Sequence, residues 1–263
     1  LVTVPLDRAR EAWQPALEQL VQRDARHLPS VFVSELIAGP RADDYLALLG
    51  DLHATLYRHH RARLTRQKDG FTWQKHLLRN LPAYAAQRLP ADWAGALGGV
   101  PAFVCGAGPS LDVTAPLIAA HGAHAVIFSA DSALRGLARH GVAADFAVSV
   151  DAAKVPEKCL PPDAALHPAR VVITSVSPPA WQSALPIDHV HFLSCRQVTL
   201  DWLAARGIAR TPLAAASNCG HTALELARFL GCSPIYLFGL DLAVDSRNPA
   251  QRHHGAADAT IYT

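Results

Sequence analysis

From residue 100 onward the sequence is built on six short apolar runs, and their order limits what the chain can become. They are "PAFVCGAG" (101–108), "HAVIFSAD" (124–131), "DFAVSVD" (145–151), "ARVVITSV" (169–176), "HVHFLS" (189–194) and "SPIYLFGLD" (233–241). Each is rich in Val, Ile or Phe and does not alternate strictly with polar residues, the pattern of strands buried on both faces. Helical segments lie between several of them. "SLDVTAPLIAAHG" and "SALRGLARHG" both end in Gly, a helix-stop signal. "SNCGHTALELARFLG" (217–231) sets Ala223, Leu226, Ala227 and Leu230 on one helical face. Strands alternating with helices predict βαβ units, and so an α/β fold with a doubly wound, mostly parallel, Rossmann-like sheet over residues 98–263.

Residues 1–97 read as a helical N-terminal region. "DRAREAWQPALEQLVQR" has near-helical apolar spacing interrupted by Pro15, and "RADDYLALLGDLHATLYRHHRARL" puts Tyr45, Leu46, Leu49, Leu52 and Leu56 on one broad face. Trp73, Leu77, Leu78 and Leu81 predict a third helix that stops before Pro82. The basic stretch "YRHHRARLTRQK" (57–68) reads as a solvated helix face, with a patch for an acidic partner as the alternative.

Composition narrows the function classes. The chain is 50% hydrophobic and 17% charged, enough apolar material for a sizeable core. A net charge of +2 is too mild to make nucleic acid the default partner. No apolar stretch approaches the roughly 20 residues that span a bilayer, and the start, "LVTVPLDRAREAW", turns charged at once, without a signal-peptide pattern. The five cysteines show no C-x-x-C spacing, which predicts free thiols in a reducing, cytoplasmic compartment and no metal cluster. The lack of any methionine and the abrupt "ATIYT" end predict a fragment of a longer chain.

The chemistry concentrates where the first run ends. In "FVCGAGPSLD" (103–112), Gly106 and Gly108 let the backbone come close to a ligand. Pro109 suits the first turn of a following helix. The free N–H groups of that helix start, with its dipole and the Ser110 hydroxyl, favour a phosphate. Leu111 stands where the dinucleotide fingerprint has its third glycine, which leaves a nicotinamide enzyme as a third reading, and no G-K-[ST] follows, so this is no P-loop of the usual ATPase kind. Asp131 and Asp151 end the second and third runs and Asp241 the sixth. Ligands of open α/β sheets bind beyond the carboxyl ends of the strands, where these groups are expected to meet. Each carboxylate also has a plain structural role open to it: Asp131 as a helix cap, Asp151 as a loop-forming residue bonding its own backbone, Asp241 as the residue that orients its turn. Ser217 or Asn218 is expected as an N-cap. His221 fits a ligand contact or a half-buried histidine equally, Cys105 reads as a core thiol, and His253 and His254 read as solvated loop residues.

"CGAGPSLD", "DSAL" (131–134), "HGVAADFAVSVD" (140–151) and "SNCGHTALELARFLGCSPIYLFGLDLA" (217–243) follow one another in the order of four motifs of a known family. The chain resembles the motility accessory factors and archaeal hydroxymethylpterin pyrophosphokinases (domain of unknown function 115) over roughly residues 100–245, with Ala144 where the family usually has proline. The G-x-G-P-S-L turn is also similar to that with which bacterial sialyltransferases hold a CMP-sugar. The family's Thr-His-Ala finds its nearest match in "RHHGA" (252–256).

The resemblance implies a nucleotide-dependent transferase. In the bacterial branch a nonulosonic acid moves from a CMP-sugar to flagellin Ser or Thr; in the archaeal branch a diphosphate moves from ATP to a pterin alcohol. A module that binds a nucleotide or a protein without turnover is the alternative from another class. The resemblance implies nucleotide binding by Gly106, Ala107, Gly108, Pro109, Ser110, Asp131, Ser132, Ser217 and Asn218. It implies catalytic roles for Asp151 and Asp241, and Mg²⁺ at Asp131 and Asp151.

Overall fold

The structure, a computed structural model, describes residues 42–242 together with position 15. The expected helix over residues 7–23 and the "RHHGA" stretch with His253 and His254 lie outside the described residues. The chain divides into two compact units, Leu1–Phe71 and Thr72–Thr263.

Helix α1 (Ala42–Ala86) carries Pro82 inside it, so the helix expected to stop before Pro82 continues for another turn. Proline removes one i→i−4 bond and leaves the Leu78 carbonyl without its donor.

In the second unit the six expected strands all form: β1 (Ala102–Cys105), β2 (Val126–Ala130), β3 (Phe146–Ser149), β4 (Arg170–Thr174), β5 (Val190–Leu193) and β6 (Ile235–Phe238). Between them run α2 (Leu111–His121), α3 (Leu134–Ala138), α4 (Pro156–Cys159), α5 (Val198–Ala204) and α6 (Cys219–Phe229). The strands make one parallel sheet in the order β5-β4-β3-β2-β1-β6.

Each face of the sheet has its own core. Phe103 and Cys105 join Leu111, Ile118, Leu134, Leu137 and Trp181 on one face. Ala102 and Val104 join Ala223, Leu226, Ala227 and Leu230 of α6 on the other. Successive strand residues point to opposite faces, so burying both faces makes every position apolar and erases alternation from the sequence. Phe128 and Phe146, paired in register on neighbouring strands, stack with ring centres 5.1 Å apart. β6 departs from the pattern: at one edge of the sheet, its Tyr236 and Leu237 are half exposed, whereas β5 at the other edge is buried throughout.

The order of strands positions the site. From β1 the chain moves outward strand by strand to β5, then crosses back to add β6 on the other side of β1. The strand order therefore reverses between β1 and β6, which is where open α/β sheets form their ligand crevice.

Candidate functional site

The turn after β1 packs against the turn after β6. The Gly106 N–H donates to the Phe238 carbonyl and the Gly108 N–H to the Gly239 carbonyl, both at 2.7 Å. A Cβ on Gly106 would fall 2.5 Å from the Gly239 oxygen, and one on Gly108 2.7 Å from both that oxygen and the Asp241 carboxyl carbon. Gly239 itself has φ +61°, the left-handed region that favours glycine. The bareness of "GAG" thus makes room for a second loop of the chain.

Ser110 is the N-cap of α2, yet its side chain does not cap its own helix. Its N–H donates to Asp241 Oδ2 at 2.9 Å and its hydroxyl donates to Asp241 Oδ1. The Asp241 carboxylate so occupies the positive end of the α2 dipole. Thr114 Oγ1 donates to the Ser110 carbonyl one turn on.

Asp131 follows β2 and is 2% exposed. Its Oδ1 accepts from the Ser132 N–H (2.6 Å) and hydroxyl (2.9 Å), and its Oδ2 accepts from the Ser149 hydroxyl (2.8 Å) and the Cys219 thiol (3.5 Å). Burial pushes the carboxyl above the usual carboxylate range, against the pull of the Ser149 and Ser132 hydrogen bonds and the Lys154 charge. Burial, then the neighbouring Asp131 charge, pushes the Cys219 thiol well above its ordinary value. Cys219 thereby stays a thiol donor, and it accepts from the Val150 N–H at 3.5 Å. One buried carboxylate ties together the ends of β2 and β3 and the start of α6.

Asp151 stands exposed after β3, with Oδ1 accepting from the Ala153 N–H at 2.9 Å, the local loop bond open to it from the sequence. Three residues on, Lys154 is buried, and its carbonyl accepts from the indole N–H of fully buried Trp181 at 2.8 Å. Asn218 is the N-cap of α6: its Oδ1 accepts from the His221 N–H at 2.8 Å. Ser217 sits beside it, with the Asn218 amide 3.5 Å from its hydroxyl. His221 is half exposed and lies 3.6 Å from Glu225. Cys105 is fully buried, and burial pushes its thiol up to about 12.

These groups surround a cavity of about 430 Å³ at the reversal point. Of the expected residues, Gly106, Ala107, Gly108, Asp131, Ser132, Asp151, Asn218 and Asp241 line it; Pro109, Ser110 and Ser217 lie outside its lining. Lys154, Cys219 and Gly220 also line it, and sequence reasoning missed them. The spacing "DAAK" at the end of the third run was the available signal for Lys154. Cys219 offered none, because its role depends on contact with Asp131.

The donor set bears on Mg²⁺. All four hydrogen-bonding positions of the Asp131 carboxylate are taken by donors, so it does not fit a metal-ligand role. Among the described residues no group of three or more His, Cys, Asp or Glu side chains could hold a metal ion. Mg²⁺ commonly keeps waters and binds one or two carboxylates together with substrate phosphates. Exposed Asp151 fits that smaller role.

A family model described as "6-hydroxymethylpterin diphosphokinase MptE-like" matches residues 75–247. Among solved structures the chain is similar to that of the MAf glycosyltransferase from Magnetospirillum magneticum AMB-1, with TM-score 0.51 and 22% identity over 74% of this chain. The match covers 32% of that longer chain, and at this identity the likeness is one of fold. None of the curated proteins matches. Among the described residues no helix is long and apolar enough to cross a membrane.

Proposed function

The chain belongs to the MptE-like family, and from that premise we propose that it is a transferase that holds a nucleotide donor in the cavity between the β1 and β6 turns. The reading rests most on one observation: Lys154, Asp151 and Asn218 converge with the glycine turn on the crevice where the strand order reverses. We take the donor to be a CMP-nonulosonic acid and the acceptor a flagellin Ser or Thr hydroxyl, in keeping with the name of the MAf glycosyltransferase whose fold it is similar to.

The chemistry of such a transfer fits the residues. As the bond between sugar and phosphate breaks, negative charge grows on the departing nucleotide. The Lys154 ammonium, in a site partly shielded from water, would offset it. Asp151, exposed at the rim, is free to swing toward the acceptor hydroxyl and take its proton. Asn218 and Ala107, both lining the cavity, would hold the nucleotide in register. Nucleotide donors of this kind would set the reaction in the cytoplasm.

A second reading follows the family description: diphosphate transfer from ATP to a pterin alcohol. There Asp151 would meet a Mg²⁺ carried in on the ATP phosphates, the ion supplying charge neutralisation on those phosphates.

Product analysis separates the two. CMP released from a CMP-nonulosonic acid in the presence of a hydroxyl acceptor supports the sugar transfer. AMP formed from ATP and 6-hydroxymethylpterin supports the second reading. Absence of both products, with intact folding, overturns the transferase proposal.

A further inference from the structure

We propose a second binding site, at the other end of the sheet from the cavity between the β1 and β6 turns, that takes a free amino acid with an apolar, planar side chain. The site is a pocket of about 330 Å³, within the size range of small-molecule sites. It lies where β3 and β4 begin, at Phe146 and Arg170, whereas the cavity lies beyond the carboxyl ends of the strands.

The walls are apolar and held in place. Phe146 and Leu230 are buried, and Trp93 and Leu97 are partly buried against the same core. The Trp93 ring meets Phe146 edge-on with ring centres 6.0 Å apart and His191 with centres 4.6 Å apart, so it is propped from two sides. The segment that carries Trp93 and Leu97 is strapped to the end of α6. The Gly95 N–H donates to the Phe229 carbonyl at 2.9 Å, the Leu97 N–H to the Leu230 carbonyl at 2.7 Å and the Gly99 N–H to the Gly231 carbonyl at 3.1 Å. Those bonds satisfy carbonyls that a helix leaves open at its end. A pocket with fixed walls loses little freedom when a ligand enters.

Two opposite charges line the same pocket. Arg170 and Asp145 stand at the starts of neighbouring strands, with the Arg170 N–H donating to the Asp145 carbonyl at 2.9 Å. The Arg170 guanidinium lies 5.9 Å from the centre of the Trp93 ring, and among the described residues no hydrogen bond or ion pair holds it. Its fork of donors is available to a carboxylate. Asp145 accepts from the Ile127 N–H through Oδ2 at 2.8 Å, which leaves Oδ1 for an ammonium. A lone anion in the pocket would face Asp145, and a lone cation would face Arg170. An α-amino acid carries both charges on one carbon and meets each with the opposite sign. Charge complementarity therefore selects the zwitterion, and the Trp93 and Phe146 rings select an apolar, planar side chain.

The test is calorimetric titration of L-phenylalanine, hydrocinnamate (which lacks the ammonium) and phenethylamine (which lacks the carboxylate) into the whole chain and two variants. Arg170→Gln and Asp145→Asn each change an exposed side chain, and Asp145→Asn keeps an acceptor for the Ile127 N–H, so both are expected to fold. The expected result is that L-phenylalanine binds most tightly, with either analogue weaker by roughly tenfold or more. Arg170→Gln should weaken L-phenylalanine and hydrocinnamate and leave phenethylamine unchanged. Asp145→Asn should weaken L-phenylalanine and phenethylamine and tighten hydrocinnamate. No binding of L-phenylalanine, or equal binding by the unaltered protein and both variants, overturns the proposal. Hydrocinnamate binding as tightly as L-phenylalanine overturns it too, because the pocket would then not read the ammonium. Neither substituted residue lines the cavity at the strand ends, so failure here leaves the nucleotide reading standing.

Discussion

The Gly108 N–H donates to the Gly239 carbonyl at 2.7 Å, across 131 positions of sequence, and a Cβ on Gly106 would lie 2.5 Å from that same oxygen. The two turns that flank the cavity are therefore one packed backbone unit. Gly106→Ala is expected to force them apart and to cost about 2–4 kcal/mol, the range of severe overpacking. Urea unfolding checks this. A cost below 1 kcal/mol would mean that the turns separate freely.

Asp131 is the second structural hinge of the site. Asp131→Ala strands the Ser132, Ser149 and Cys219 donors in a buried place, with an expected loss of about 2–4 kcal/mol. Activity lost in that variant would accordingly report on the fold before it reports on a ligand. The raised carboxyl pKa carries its own sign. The stability it contributes is present below the ordinary value of 3.8 and is lost as pH rises through the folded value. Urea midpoints of Asp131→Asn relative to the unaltered protein should therefore rise with pH across that window.

Trp181 sits on the far side of the Lys154 turn and holds it by one hydrogen bond. Trp181→Phe keeps most of the ring volume and leaves the buried Lys154 carbonyl without that donor. The expected cost is about 1–2 kcal/mol, together with weaker binding of whichever nucleotide the cavity takes. Unchanged nucleotide affinity would show that the turn holds Lys154 in place without Trp181.

His191 gives a pH test far from the cavity. Burial, with the charges of Arg170 and His189, holds it down to about 4 against the opposing pull of Asp188. Its Nε2 is buried without a hydrogen-bond partner among the described residues, and its ring meets Trp93 edge-on at 4.6 Å. A histidine with a depressed folded value contributes stability that is present above its ordinary 6.5 and lost as pH falls toward 4. The expected loss is at most about 3 kcal/mol. In His191→Phe that part of the acid loss should vanish, read as the difference between the two pH–stability curves. Parallel curves would contradict it.

The sheet was legible because burial on both faces leaves unbroken apolar runs, and all six runs became strands. β6 reads like the others in sequence but is half exposed, while β5, equally an edge strand, is buried, since an apolar run does not say what will cover it. Pro82 read as a stop because a helix interior normally disfavours proline, yet the helix runs on through it to Ala86. The glycine turn shows the deeper limit. Gly106 and Gly108 announce a close approach, but sequence does not say whether a ligand or a distant loop approaches, and here the 239–241 loop does. Asp131 lines the cavity at a strand end, as its place in the sequence suggested, and what sequence did not show is that its oxygens also accept from Ser132, Ser149 and Cys219. Lys154 went unread although "DAAK" carried it, because a lysine three residues past a strand does not say that its turn folds back to the cavity, with its carbonyl bonded to Trp181, 27 residues on.

The most direct test is the melting temperature of the chain with CMP, CTP or ATP, each with and without Mg²⁺, for the unaltered protein and for Lys154→Ala. A ligand that binds only the folded state must raise it. The expected result is a rise with one of these nucleotides that shrinks sharply in Lys154→Ala. No rise with any of them, or an equal rise in both proteins, would contradict a nucleotide site at the crevice between β1 and β6.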